Sequence, residues 1–257
     1  MKRATPSRRS QHILDLLRAR GEVAVTDLAE RFGVTPMTIR RDLTTLESEG
    51  RVTRTHGGAI LAAPSVARFD FTERHQRRVP EKKAIARAAA TRVRPGMTVI
   101  LDTGTTTLEL AAELGRIGGL RVLTSSLAIA SALFAHENLE LILLGGTVNR
   151  GSPDLSGPLT EENLAAFRAD VAFIGADAVD QAGLYTRSQE IARVTRAMIP
   201  AADTAWLVAD SSKFGRTAFV RFAEWADVAG AVVDDGLPPE HRRWLREAVR
   251  DLTTVPI

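Results

Sequence analysis

Residues 23–59 read VAVTDLAERFGVTPMTIRRDLTTLESEGRVTRTHGGA, and the spacing within them decides the first quarter of the chain. Ile39, Leu43 and Leu46 recur at i, i+4 and i+7, the apolar face of one helix. Thr35 stands as its N-cap and Pro36 at its first position, where the missing N–H would be orphaned anyway. Gly50 ends it. Before it, a short helix over 27–32, with Thr26 as its cap, turns Leu28, Ala29 and Phe32 inward and stops at Gly33-Val34. A first helix over 10–20 carries Ile13, Leu14 and Leu17. After it, 51–56 alternates like a strand and Gly57-Gly58 turns the chain. Three short helices and a hairpin make a helix-turn-helix followed by a wing.

The polar side of the third helix points to a partner. Opposite the apolar stripe lie Met37, Thr38, Arg41, Thr44 and Thr45, with Arg40 at the border. An arginine reads guanine through two hydrogen bonds, and a threonine bonds a base or packs its methyl on thymine. Arg40 is placed for a phosphate, and Asp42 to orient a neighbouring arginine. The wing adds Arg51, Arg54 and His56, and the N-terminal arm adds Lys2, Arg3, Arg8 and Arg9, all suited to phosphate. Residues 1–60 hold 11 Lys/Arg against 7 Asp/Glu, so the chain's whole positive excess of +3 sits there. The expected partner is double-stranded DNA; a three-helix module that binds protein is the plainer alternative.

Residues 61–80 read as a linker, first small (LAAPSVA), then charged up to Pro80. A helix follows over 81–92. From Met97 short apolar strands alternate with helices, with strands expected at 98–101, 121–123, 140–144, 171–174, 205–209 and 231–233. That alternation means an α/β domain with a mostly parallel sheet. The expected organisation is a winged helix-turn-helix domain over 1–60, a linker over 61–80 and an α/β domain over 81–257. At 44% hydrophobic and 25% charged residues, the 257-residue chain has a soluble globular composition. No apolar run approaches the roughly 20 residues of a membrane span, and no apolar segment follows the basic start. With no cysteine, thiolate chemistry is absent, and the histidines at 12, 56, 75, 136 and 241 lack metal-ligand spacing. No metal, cofactor or membrane partner is expected, and the cytoplasm is the expected compartment.

The clearest ligand signal is Leu101-Asp-Thr-Gly-Thr-Thr-Thr107, which follows a strand and opens a helix. Gly104 lets backbone N–H groups approach an anion, Thr105, Thr106 and Thr107 add hydroxyls, and a helix N-terminus favours negative charge. The spacing matches neither common nucleotide-binding loop, so a phosphate on a small molecule fits better. Later strands are followed by Thr124-Ser125-Ser126, Gly145-Gly146-Thr147, Gly175-Ala-Asp177 and Asp210-Ser-Ser-Lys-Phe-Gly215. In a chain of 30 arginines and 4 lysines, Lys213 is the one lysine after position 83, which points to a need for a compact ammonium.

Residues 23–59 resemble the signature of the DeoR-type bacterial transcriptional regulators, in which TIRRDL lies on the recognition helix and R-x-HGGA closes the wing. The likeness continues through Glu81-Lys82 with Ile85-Ala86, LDTGTTT, TSS, Gly145-Gly146, FIGADA and DSSKFG. It spans about residues 8 to 235, with three departures: Thr35 stands where serine is usual, Ser125 where asparagine is, and Ala178 where glycine is common. The resemblance implies an operator-binding regulator, a repressor more than an activator. Its sensor would be similar to sugar-phosphate isomerases of the ribose-5-phosphate type and would bind a phosphorylated sugar or polyol. Asp102, Ser125, Ser126, Asp177, Glu190 and Lys213 join the threonine loop as candidate effector ligands. An isomerase is the rival reading. The isomerases of this likeness carry an acid directly after GAD and then a lysine-containing glycine-rich segment. Here Ala178 follows Asp177 and 183–187 holds no lysine, so no enzymatic activity is expected. One wing module contacts few base pairs, so a homo-oligomer, dimer or tetramer, is expected on paired half-sites.

Overall fold

The computed structural model describes residues 6–48, 51–55, 57–61, 71–149 and 152–257, which form two compact units, Met1–Arg68 and Phe69–Ile257. In the first, the order is α1 (Pro6–Arg20), β1 (Glu22–Ala24), α2 (Val25–Phe32), α3 (Pro36–Ser48), β2 (Val52–Arg54) and β3 (Gly58–Leu61). The three strands form an antiparallel sheet in the order β1-β3-β2. Ile13, Leu14 and Leu17 of α1, Leu28 of α2, and Ile39, Leu43 and Leu46 of α3 are buried in one core with Val52. Burying each such side chain is worth about 1.5–3 kcal/mol.

Thr35 caps α3 as expected, its hydroxyl accepting from the Thr38 N–H at 3.3 Å. Thr26 does not cap α2. That helix begins at Val25, whose N–H donates to the Gly57 carbonyl of the wing at 2.9 Å, and Thr26 lies inside the first turn. β1 is the element the sequence reading lacked: three residues are too few for a period to show. It explains Gly58, where an added Cβ would sit 1.9 Å from the Val23 carbonyl oxygen across the sheet. Gly50, expected to stop α3, lies outside the described residues.

The second unit runs α4 (Phe71–Gln76), α5 (Val79–Ala90), β4 (Thr98–Leu101), α6 (Thr105–Leu114), β5 (Leu120–Thr124), α7 (Leu127–Leu133), β6 (Leu139–Leu143), β7 (Thr147–Val148) and β8 (Leu155–Ser156). It continues through α8 (Pro158–Ala165), β9 (Ala169–Ile174), β10 (Ala178–Asp180), β11 (Gly183–Thr186), α9 (Gln189–Met198), β12 (Ala202–Val208), β13 (Val220–Ala223), β14 (Gly230–Asp234), α10 (Pro239–Ala248) and β15 (Asp251–Val255). Seven strands form a wholly parallel sheet in the order β15-β14-β12-β9-β4-β5-β6. Alternate residues feed opposite faces. Val99, Leu101, Val122 and Phe173 meet α5, α6 and α7, while Ile100, Leu123, Ala172 and Ile174 meet α8, α9 and α10.

The chain winds outward from β4 through β5 to β6, then returns to the other side of β4 at β9 and winds out through β12 and β14 to β15. The carboxyl ends of β4 and β9 are therefore the switch point, where open α/β sheets leave a crevice for ligands. β10, β11 and β13 form a separate small antiparallel sheet, and β7 pairs with β8. Neither these nor β15 was expected. The stretch expected as a linker, 61–80, is structured in part: Leu61 ends β3, and α4 and the start of α5 belong to the second unit. Among the described residues no helix is long and apolar enough to cross a membrane.

Candidate functional site

In the first unit, burying the apolar stripe of α3 leaves its other side in solvent. Arg40, Arg41, Thr44 and Thr45 are exposed, and Met37, at 71%, is among the most exposed large apolar side chains. Thr44 and Thr45 donate back to the carbonyls of Arg40 and Arg41 at 2.9 and 3.1 Å. Arg54 of the wing reaches Thr44 Oγ1 at 3.1 Å, and its own N–H donates to Glu47 at 3.1 Å. The wing is thereby tied to α3. Thr35 and Thr38 share a hydroxyl contact of 3.0 Å at the start of the helix. Arg51 directly precedes β2, whereas His56 lies outside the described residues, as do Lys2 and Arg3.

Arg9 departs from expectation. It sits inside α1, is buried, and makes a two-armed ion pair with Asp42, its Nη2 donating at 3.1 Å to one oxygen and its Nε to the other. It is thus committed to holding α1 against α3 rather than to phosphate. Asp42 does orient an arginine, one 33 residues away.

In the second unit the strand register lines up the loops. Leu101 pairs with Thr124 on one side and Phe173 on the other, so Asp102, Ser125 and the Ile174-Gly175 step meet at one edge. Asp102 is buried across the switch point. Its carboxylate accepts from the Gly175 N–H at 2.9 Å and from the Thr195 hydroxyl at 3.1 Å. Burial pushes its pKa up, against the pull of those hydrogen bonds. Asp177 accepts from the Thr186 hydroxyl and the Arg187 N–H, both at 3.0 Å, and lies 3.5 Å from Arg74 Nη2 of α4.

Around Arg74 gather two more cations. Lys82 of α5 is buried and donates its ammonium to the carbonyls of Arg74 in α4 and of Arg77 just beyond it. Burial lowers its pKa to about 8, and the charges of Lys213 and Arg74 push the same way against Asp210. Burial first, then the charge of Arg74, also lowers Lys213. Arg74 is likewise lowered by burial, against the pull of Asp177, Asp154 and Asp102. Three cations thus lie within electrostatic reach of one another, interleaved with the carboxylates of Asp102, Asp154, Asp177 and Asp210. α4 packs on α6, with His75 Nδ1 3.9 Å from Glu109 Oε1.

The comparisons with known proteins bear on both units. Residues 9–65 match the DeoR-like helix-turn-helix domain and residues 77–235 the DeoR C terminal sensor domain. The HTH-type transcriptional regulator YulB of Bacillus subtilis (strain 168) is 35% identical over 250 residues, covering 97% of this chain and 96% of its own. The chain belongs to the DeoR family of transcriptional regulators. The glycerol-3-phosphate regulon repressor of Escherichia coli (strain K12) is 34% identical over 234 residues, 91% of this chain and 92% of its own. Among solved structures, ribose 5-phosphate isomerase A from Methanocaldococcus jannaschii is 20% identical and covers 52% of this chain and 53% of its own, with a TM-score of 0.39.

Within this DeoR-family sensor the expected ligand residues divide. Asp102, Asp177 and Lys213 lie within electrostatic reach of Arg74, and Thr105 and Thr106 are buried at the N-terminal turn of α6. Thr107 is spent on structure: fully buried, its hydroxyl accepts from the Gly104 N–H at 2.8 Å and donates to the Asp102 carbonyl at 2.7 Å. The Gly104 N–H is therefore also taken. The donors left to the loop are the first N–H groups of α6, which have no carbonyl four residues back. Ser126 is committed to capping α7, accepting from the Ile129 N–H at 3.3 Å. Glu190 is exposed at the start of α9, where Ser188 donates to it at 2.7 Å and lowers its pKa. Arg74, Lys82 and Asp154, which stand close to these residues, are not among the effector ligands expected from sequence. The rarity of lysine that drew attention to Lys213 applies equally to Lys82.

Proposed function

We propose that this DeoR-family regulator represses genes of sugar or polyol metabolism in the cytoplasm, and that a phosphorylated sugar or polyol releases it from its operator. α3 reads bases through Arg41, Met37, Thr38 and Thr45. Thr35, Arg40, Arg51, Arg54 and His56 fix its position on the phosphates, and two or four copies engage paired half-sites. The observation that carries the effector class is the cluster of Arg74, Lys82 and Lys213, which lie within electrostatic reach of one another, with Arg74 also within reach of Asp102 just ahead of α6. Buried cations that repel one another are relieved by an anion, and helix N–H groups at a sheet's carboxyl edge favour phosphate. Asp102 and Asp177 accept from hydroxyls on the carbon chain. The glycerol-3-phosphate regulon repressor, alike over nine-tenths of the chain, supports the same ligand class.

A sensor rather than an enzyme fits the same geometry. Aldose–ketose isomerisation needs a carboxylate base beside the carbon it deprotonates. Glu190, the candidate base, is exposed and held by Ser188, and Ala178 stands where an acid would follow Asp177.

A thermal-shift panel tests the effector class. Phosphorylated sugars and polyols are each paired with the unphosphorylated parent, since a native-state ligand at about 100 times its Kd adds about 2.7 kcal/mol. At least one phosphorylated member is expected to raise the melting temperature of the second unit while its parent does not. A panel without any shift, or with equal shifts from the parents, would overturn the reading.

A further inference from the structure

Two buried polar atoms on the far side of Asp102 from Gly175 have no hydrogen-bond partner among the described residues. Ser125 is fully buried, and its hydroxyl makes no hydrogen bond. Asp154 is 2% exposed; Ser152 donates to its Oδ2, while Oδ1 is buried and unbonded. Backbone pairing brings their two segments together, with Ser125 one residue along from the position opposite Asp154. Leu155 N–H donates to the Ser125 carbonyl at 2.8 Å, and Asp154 bridges Ser126 antiparallel. The register of β4 with β5 places Ser125 next to Asp102, and Asp154 feels the charges of Asp102 and Arg74. The order along the carboxyl edge is therefore Gly175, Asp102, Ser125, Asp154.

Leaving a buried carboxylate oxygen or a buried hydroxyl unbonded forfeits its hydration with nothing in return, most of all for the charge. Nearly all such groups in folded proteins meet a partner. The hydroxyls of a carbon chain answer both, since an alcohol donates to Asp154 Oδ1 and accepts from Ser125. We infer that Asp154 and Ser125 form the end of the effector site that reads a hydroxyl on the carbon chain, and so set which phosphorylated sugar or polyol this regulator accepts. The inference rests on the proposed phosphorylated effector. It adds a residue, Asp154, and divides the site into a cationic end for phosphate and an acidic end for the chain.

The test is calorimetric titration of wild type, Asp154→Asn and Ser125→Ala with inorganic phosphate, glycerol 3-phosphate, D-glucitol 6-phosphate, D-glucose 6-phosphate and 2-deoxy-D-glucose 6-phosphate. In wild type, at least one polyhydroxylated phosphate is expected to bind more tightly than inorganic phosphate. In Asp154→Asn that advantage over inorganic phosphate is expected to shrink about tenfold or more, and in Ser125→Ala by a smaller factor. An advantage unchanged within twofold in both variants overturns the hydroxyl subsite and leaves the phosphate reading standing. So does a wild type that prefers inorganic phosphate to every carbon-bearing probe. A wild type that binds no probe at all overturns the phosphorylated effector and the subsite with it.

Discussion

Arg9 and Asp42 show how a single pair misleads a reader of sequence. A basic arm beside a DNA-reading helix suggests phosphate, yet Arg9 is buried against a carboxylate of α3. Removing one partner leaves the other charge buried and uncompensated, so Arg9→Ala is expected to destabilise the first unit by about 3 kcal/mol. Chemical denaturation of residues 1–68 within the full chain checks this; a loss under 1 kcal/mol would return Arg9 to the DNA surface. Arg41 and Arg54 behave differently because they are exposed. Arg41→Ala is expected to cost about 1–3 kcal/mol on operator and little on scrambled DNA, whereas Arg54→Ala weakens both alike and flattens the salt dependence. Binding curves on the two duplexes at two salt concentrations separate these outcomes. Asp154 adds a pH signature. Burial, with Asp102 pushing the same way against Ser152, Arg74 and Thr103, raises its carboxyl from 3.8 to about 6. The folded state thus holds a proton that the unfolded state gives up, a stabilisation complete below pH 3.8 and lost as pH rises through 6. Melting of the second unit is expected to gain up to about 3 kcal/mol from this group between pH 7 and pH 4, a gain absent in Asp154→Asn. Equal pH profiles for the two proteins would contradict it.

The legible elements were those long enough to show a period or bounded by turn chemistry. The apolar stripe of α3, its Thr35–Pro36 start and the β4–loop–α6 unit all read directly from the chain. β1 and β15 did not. β1 has three residues, and β15, DLTTV, is a polar edge strand whose partner β14 lies earlier in the chain. α4 was hidden for a different reason. FTERHQ looks like a solvated linker, and a six-residue helix is not stable alone. It is held by distant contacts as well as by packing on α6: Lys82, whose ammonium meets the carbonyls of Arg74 and Arg77, and Asp177, more than a hundred residues on, which pairs with Arg74. No local pattern records either contact. Lys82→Met keeps the apolar stem and removes the donor. It is expected to speed amide hydrogen exchange in 71–78 about tenfold or more while leaving β4 and β9 protected. Unchanged exchange would show that α4 is held by packing instead.

The two units meet in sequence at 62–70, directly ahead of α4, so the helix that carries Arg74 of the proposed effector site directly follows the connection from the first unit. A ligand changes DNA affinity only through a difference in its binding to two states of the molecule. The proposed effector site and α4 are where such a difference can arise, since an anion that takes up Arg74 and Lys82 competes with the contacts that fix α4. Sedimentation is expected to show a dimer or tetramer at the concentrations where operator binds, because one wing reads too few base pairs. A monomer that binds a single half-site tightly would contradict this. The decisive measurement is fluorescence anisotropy of the intact protein on a duplex it has selected from random sequence, titrated with phosphorylated sugars and polyols and with their unphosphorylated parents. At least one phosphorylated compound is expected to raise the Kd for operator roughly 5- to 150-fold, with its parent inactive and the effect lost in Lys213→Ala. An operator affinity that no phosphorylated compound changes, or that the parents change equally, would contradict the central claim.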